Sequence, residues 1–215
     1  EFDNTTRSDA VIANGENNDY REKILDVLGV KYVLDRIENG STQETFPPEK
    51  YKQVYEDENG WKVFENLKAA PRLFLASDYK VFKTKEEFEK LFFAKEFDSA
   101  KTILLEEKLS ERLLDSNQVS KVIVEDYQAN QIKVLTQTEG NQLLFLSDTY
   151  YPGWKALIDG KESKIYRADY ACRAVVVPAG SHRVIFSYEP LSFYLGIKIS
   201  IISLMVFLFF LVFAV

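Results

Sequence analysis

Cysteine is all but missing from this chain. The single Cys172 sits in an apolar run and allows no intrachain disulfide, so the fold stands on its core rather than on staples. Histidine is as scarce, with His182 alone, and no G-x-S-x-G elbow accompanies it, which leaves Ser-His-Asp chemistry without support. One His, one Cys and no carboxylate pair at a diagnostic spacing give no metal site. The 9 glycines are scattered and build neither G-x-G-x-x-G nor a Walker loop, so no nucleotide cofactor is implied. Basic clusters are missing too: 27 Lys and Arg are dispersed among 33 Asp and Glu, for a net charge of -6, and this excludes nucleic acid as a partner. The opening decapeptide EFDNTTRSDA has no basic n-region and no apolar h-region, and reads as the start of a fragment rather than as a signal peptide.

What the chain has in quantity is apolar sequence at its end. LGIKISIISLMVFLFFLVFAV runs from Leu195 to Val215, and at about 1.5 Å per residue it spans roughly 31 Å, the thickness of a bilayer's hydrocarbon. The expectation is a membrane helix, with the lipid bilayer as its partner. Lys198, one turn in, can snorkel to the headgroups, and Phe193 and Tyr194 stand where an interfacial aromatic belt belongs.

The soluble part divides in texture. NDYREKILDVLGV places Ile24, Leu25, Val27 and Leu28 on one helical face with Gly29 as a stop, and KYVLDRI follows as a strand. Residues 38–49 read as a loop, KQVYEDENGWKVFEN as a hairpin turning in Asp57 to Gly60, and PRLFLASDYKVF as extended. Thr84 and Glu87 form a capping box ahead of a helix whose stripe is Phe88, Leu91 and Phe92. From about Ser120 short strands recur at roughly ten-residue intervals, the pattern of a β-sandwich. These are KVIVEDY, QIKVLTQT, NQLLFLSD, WKALIDG, ESKIYR, CRAVVVP and HRVIFSYE. In the last, Val184, Phe186 and Tyr188 alternate inward, whereas AVVVP lacks alternation and suits a strand covered on both faces. The predicted fold class is α+β: a mixed α/β part over 1–118, an antiparallel β-sandwich over 119–190, and one transmembrane helix over 191–215.

The densest cluster of recognition chemistry is TYYPGWKALIDGK, Thr149 to Lys161. Tyr150, Tyr151 and Trp154 could stack on a sugar ring while Asp148, Arg167 or Asp169 bond its hydroxyls. The same residues also read as plain structure. Pro152-Gly153 bends the chain, Trp154, Ala156 and Ile158 alternate into a core, and Asp159-Gly160 makes a hairpin turn. No catalytic residue is visible in either reading.

One longer stretch, LLFLSDTYYPGWKALIDGKESKIYRADYACRAVVVPAGSHRVIFSYEP followed by an apolar helix, resembles the end of the extracytoplasmic region in YfhO-like bacterial membrane proteins. ILDVLGVKYVLD and GWKVFENLKAAPRLFL are similar to earlier segments of that family. Those proteins resemble the polytopic GT-C glycosyltransferases. The resemblance implies a parent with many membrane helices that takes sugar from a polyprenyl-phosphate donor and passes it to a cell-envelope acceptor outside the cytoplasmic membrane. The present domain would cap the site or position the acceptor. In that class the base that activates the acceptor hydroxyl lies in a first outer loop, which nothing in this sequence matches, so no catalytic residue carries over. The rival expectation is a membrane-anchored carbohydrate-binding or adhesion module without catalysis.

Overall fold

The structure is a computed structural model that describes residues 18–36, 46–114 and 120–213. Most of the expected 38–49 loop lies outside the described residues. Helix α1 (Asn18–Val27) ends where expected. Gly29, at φ +67°, donates to the Asp26 carbonyl and Val30 donates to that of Leu25, the paired closing bonds of a left-handed helix stop. Strands β1 (Tyr32–Arg36), β2 (Tyr51–Glu56) and β3 (Trp61–Asn66) form a small antiparallel sheet in the order β1-β3-β2. Its hairpin turns at Asp57, whose Oδ1 accepts the N–H groups of Asn59 and Trp61 at 2.9 Å each. A polar joint ties this sheet to α1. The buried Lys50 Nζ lies 3.0 Å from the Asp26 carboxylate and 3.3 Å from Glu22, and Asn66 Nδ2 donates to Asp26 at 2.8 Å.

The main body is two sheets face to face. Strands β4 (Leu73–Ala76) and β5 (Asp78–Val81), helix α2 (Lys85–Phe92) and strand β6 (Thr102–Leu105) lead into β7 (Lys121–Gln128), β8 (Gln131–Thr138) and β9 (Gln142–Leu146). Strands β10 (Trp154–Ile158), β11 (Lys161–Ser163), β12 (Tyr166–Ala168), β13 (Cys172–Val177) and β14 (Gly180–Tyr188) follow, then helix α3 (Leu191–Phe213). One sheet runs β11-β10-β14-β8-β7 and is antiparallel throughout; the other runs β4-β9-β13-β12-β6-β5, with β5 and β6 parallel. The α+β architecture with a C-terminal apolar helix is therefore present. Strands from both sides of residue 118 share the six-stranded sheet, in which β4, β5 and β6 stand with β9, β12 and β13. The two stretches of chain are interleaved.

This interleaving explains the burial pattern. Between the sheets lie Leu144, Leu146, Val175 and Val177 from one and Ile132, Val134, Val184 and Phe186 from the other. The outer face of the six-stranded sheet is covered as well, around Ile103, Leu105, Leu143, Phe145 and Ala174, where Leu109 and Leu113 pack, and on the opposite face of β6 helix α2 closes over Leu104 with Phe82, Phe92 and Phe97. Covered on both sides, β9 and β13 need no polar alternation. β14 has one covered face, and there Val184 and Phe186 are buried while Arg183 points out. Thr84 caps α2 as expected, its hydroxyl accepting from Glu87 N–H at 3.2 Å, while the Glu87 carboxylate accepts from Lys83 N–H at 2.8 Å.

Candidate functional site: an aromatic groove at the foot of the apolar helix

After β9 the chain leaves the six-stranded sheet and crosses to the five-stranded one, and residues 147–153 make that crossing. Gly153 is its hinge, at φ +102°. A Cβ there would come within 3.1 Å of Pro190 Cα and of the Tyr188 ring, so the position needs glycine both for its backbone and for the close approach. The Gly153 carbonyl accepts the Glu189 N–H at 2.7 Å, which clamps the crossing onto the two residues that precede α3. Register then sets Trp154 opposite Tyr188, with ring centroids 5.3 Å apart, and Tyr151 stands 6.4 Å from the same Tyr188 ring. The result is a groove of about 400 Å³, with Tyr151, Trp154 and Tyr188 as aromatic walls and Asn130 and Thr149 at the rim.

Its floor is an ion pair. Arg173 is 1% exposed, and its Nη2 donates to Asp148 Oδ2 at 3.1 Å while its guanidinium lies 3.9 Å from the centroid of Trp154. Asp148 is shared. Its Oδ2 also accepts from the Tyr127 hydroxyl at 2.6 Å, and its Oδ1 accepts from Arg72 Nε at 3.1 Å and lies 3.0 Å from Arg72 Nη2. Both carboxylate oxygens are occupied, so Asp148 orients the floor rather than offering a free acceptor. Burial, helped by the Asp148 carboxylate, pushes the Tyr127 phenol up to about 12. Burial also lowers the Arg173 pKa, and Asp148 opposes it. Arg173 Nε and Nη1 have no protein partner.

Of the residues expected to bind a sugar, the structure brings Tyr150, Tyr151 and Trp154 together. Tyr150 and Tyr151 also flank a second recess of about 270 Å³ beside Lys155 and Lys164. Trp154 packs on the inter-sheet core and also walls the groove. Arg167 and Asp169 lie elsewhere and line neither recess. Arg167 Nη1 pairs with Glu106 at 3.1 Å, and its guanidinium stacks 4.9 Å over Tyr170. Asp169 is buried at the β12–β13 turn, at φ +45°, where its Oδ1 accepts the Leu104 N–H at 2.8 Å and its own N–H donates to the Leu104 carbonyl at 2.8 Å. Its Oδ2 has no partner, and burial lifts the carboxyl to about 7. Sequence reasoning missed Arg173, Asn130 and Tyr188 as groove residues. The usable signal was Arg173 itself, a cation inside the apolar run CRAVVV, which folding tolerates only when the charge is paired.

His182 Nδ1 lies 2.6 Å from Asp159 Oδ2 and its Nε2 lies 3.0 Å from the Ala179 carbonyl, so the ring ties the β10–β11 turn to β14, and these bonds raise its pKa. Burial pushes the Cys172 thiol up to about 12, so it is not a reactive nucleophile. Among the described residues no group of three or more His, Cys, Asp or Glu side chains is placed to hold a metal ion.

Helix α3 completes the setting. An 18-residue stretch of its 23 residues carries a mean hydropathy of 2.6, and none of the 23 is buried against the rest of the protein. At about 1.5 Å per residue it is long enough to cross a bilayer. Comparison with known proteins adds one likeness to this geometry. Residues 96–200 match the family model described as bacterial membrane protein YfhO, a stretch that opens before β6 and closes inside α3. No curated protein and no solved structure matches the chain. Over that stretch the chain is similar to the YfhO membrane proteins, and α3 is long and apolar enough to cross a membrane.

Proposed function

We propose that this YfhO-like chain is the C-terminal extracytoplasmic part of a polytopic glycosyltransferase-like protein of the cytoplasmic membrane. The parent transfers sugar from a polyprenyl-phosphate donor to a cell-envelope acceptor. The sandwich caps the transfer site, and its groove positions the acceptor. The observation that carries this reading is the groove's place and make-up: three aromatic walls and a polar rim of Asn130 and Thr149, over a neutralised floor, directly at the foot of an apolar helix. Aromatic faces take up the apolar C–H faces of sugar rings while amide and hydroxyl groups orient the hydroxyls. A glycan handled there is held where a lipid-linked donor is reachable.

Trp154→Ala is a poor test, because Trp154 also packs on the core and over Arg173. Asn130 and Thr149 are exposed, so Asn130→Ala with Thr149→Val changes the rim alone. In membranes carrying the full-length protein, transfer of labelled sugar from the polyprenyl-phosphate donor should fall severalfold with an unchanged unfolding temperature. Unaltered transfer would sink the acceptor-positioning role. Glycan binding by the wild type with no transfer would replace it with the carbohydrate-binding module.

A further inference from the structure

We infer that Tyr150 and Tyr151 dock the sandwich onto the headgroup layer of the bilayer that α3 crosses, so that the groove mouth is held at a fixed depth. Only Glu189 and Pro190 separate the last residue of β14 from the first of α3. Through Gly153, whose carbonyl accepts the Glu189 N–H and whose Cα packs on Pro190, the β9–β10 crossing is fastened at that same level. The apolar run begins at Leu195, four residues into α3. At about 1.5 Å per residue this puts the crossing roughly 6 Å outside the hydrocarbon, at the depth of the polar layer, which is about 5–8 Å thick on each side of a bilayer.

The residues displayed at that depth suit it. Tyr150 and Tyr151 are 40% and 59% exposed, and Leu191, Phe193 and Tyr194 are exposed at the start of α3, the helix to which Gly153 fastens the crossing. A phenol buries its ring among acyl ends and leaves its hydroxyl among headgroups, which is why tyrosines collect at membrane interfaces. The occupant is thus the bilayer itself, by continuity with the span, and the docking requires no bound glycan.

The test uses the full chain reconstituted in phosphatidylcholine vesicles, carrying Tyr151→Cys or, separately, Tyr150→Cys labelled with a nitroxide. The native Cys172 is buried and does not compete for the label. Power saturation then compares collisions with oxygen, which partitions into lipid, against collisions with a polar nickel chelate. Val54→Cys on β2 and Ile199→Cys in α3 serve as the aqueous and hydrocarbon references. The expected oxygen-to-nickel ratio at both tyrosine positions is severalfold above that at Val54 and below that at Ile199. A ratio equal to that at Val54 in both variants overturns the docking. So does dipolar broadening between labels, which would mean that a second copy of the chain covers this surface. The two exposed sites are read independently, so one poorly folded variant leaves the other decisive.

Discussion

Replacing Asp169 by Asn should make the protein's stability much less sensitive to pH between 5 and 8. Burial lifts this carboxyl from its ordinary 3.8 to about 7, and only one of its oxygens is hydrogen-bonded. The unfolded chain releases the proton near 3.8 and the folded chain near 7, so between those values the folded state binds the extra proton. Stability from this group is therefore greatest at low pH, declines as pH rises through that window, and levels off above it. At about 1.4 kcal/mol per tenfold in acidity, the wild type should lose about 2–3 kcal/mol between pH 5 and pH 7 through Asp169 alone. Asn keeps the acceptor for the Leu104 N–H and tolerates the left-handed backbone at this position. Its amide nitrogen inherits the unpartnered place, at about 1–3 kcal/mol, but that cost is the same at every pH. His182, whose pKa is also raised, titrates nearby, yet it is present in both proteins and cancels. Urea unfolding of the full chain in micelles, followed by tryptophan fluorescence at pH 5 and pH 8, gives the difference directly. The variant should gain about 2–3 kcal/mol on the wild type between the two conditions. Parallel changes in both proteins would show that the Asp169 carboxylate finds solvent or a partner, and the reasoning would fail.

Other substitutions probe the groove and its frame. Gly153→Ala meets both a positive φ and contacts of 3.1 Å with Pro190 and Tyr188, and should cost about 1–3 kcal/mol in the same unfolding assay; a neutral result would show that the crossing can swing away from α3. Arg173→Met breaks the buried pair with Asp148 and should cost about 3 kcal/mol; a loss under about 1 kcal/mol would show that Arg72 and Tyr127 suffice to hold the carboxylate. Thr84→Ala removes the cap of α2 and should cost about 1 kcal/mol, measurable as a lower urea midpoint.

What could be read from the sequence was whatever depends on neighbours along the chain. The α2 cap needs only Thr84 and Glu87, and its stripe needs only Phe88, Leu91 and Phe92. The alternation of β14 needs one covered face. What escaped depends on partners far away. TILL at 102–105 has only three apolar residues after its Thr, too short a run for periodicity to separate strand from helix, and its pairing with β5 and β12 makes it β6. ESKIYR reads as one strand but is two, because the chain passes between sheets at Lys164 and Ile165, and β11 and β12 have different partners. That β4, β5 and β6 share a sheet with β9, β12 and β13 was not legible for the same reason, since sheet membership leaves no local trace. Arg173 announces a buried charge without naming Asp148, 25 residues away.

The aromatic segment shows why structural and functional readings of one sequence need not compete. Trp154 is held by the core and by Arg173, so its ring cannot move to meet a ligand, and a rigid wall costs no ordering entropy on binding. Tyr151, more than half exposed, is free to meet whatever lies outside. The Gly153 clamp joins the two to the start of α3, so the strand that fills the sandwich also fixes the groove relative to the membrane. A groove on a long linker would sample many heights above the bilayer. Here Glu189 and Pro190 alone stand between the last strand and the helix, so on the proposed function the groove takes a ligand that lies at the membrane surface.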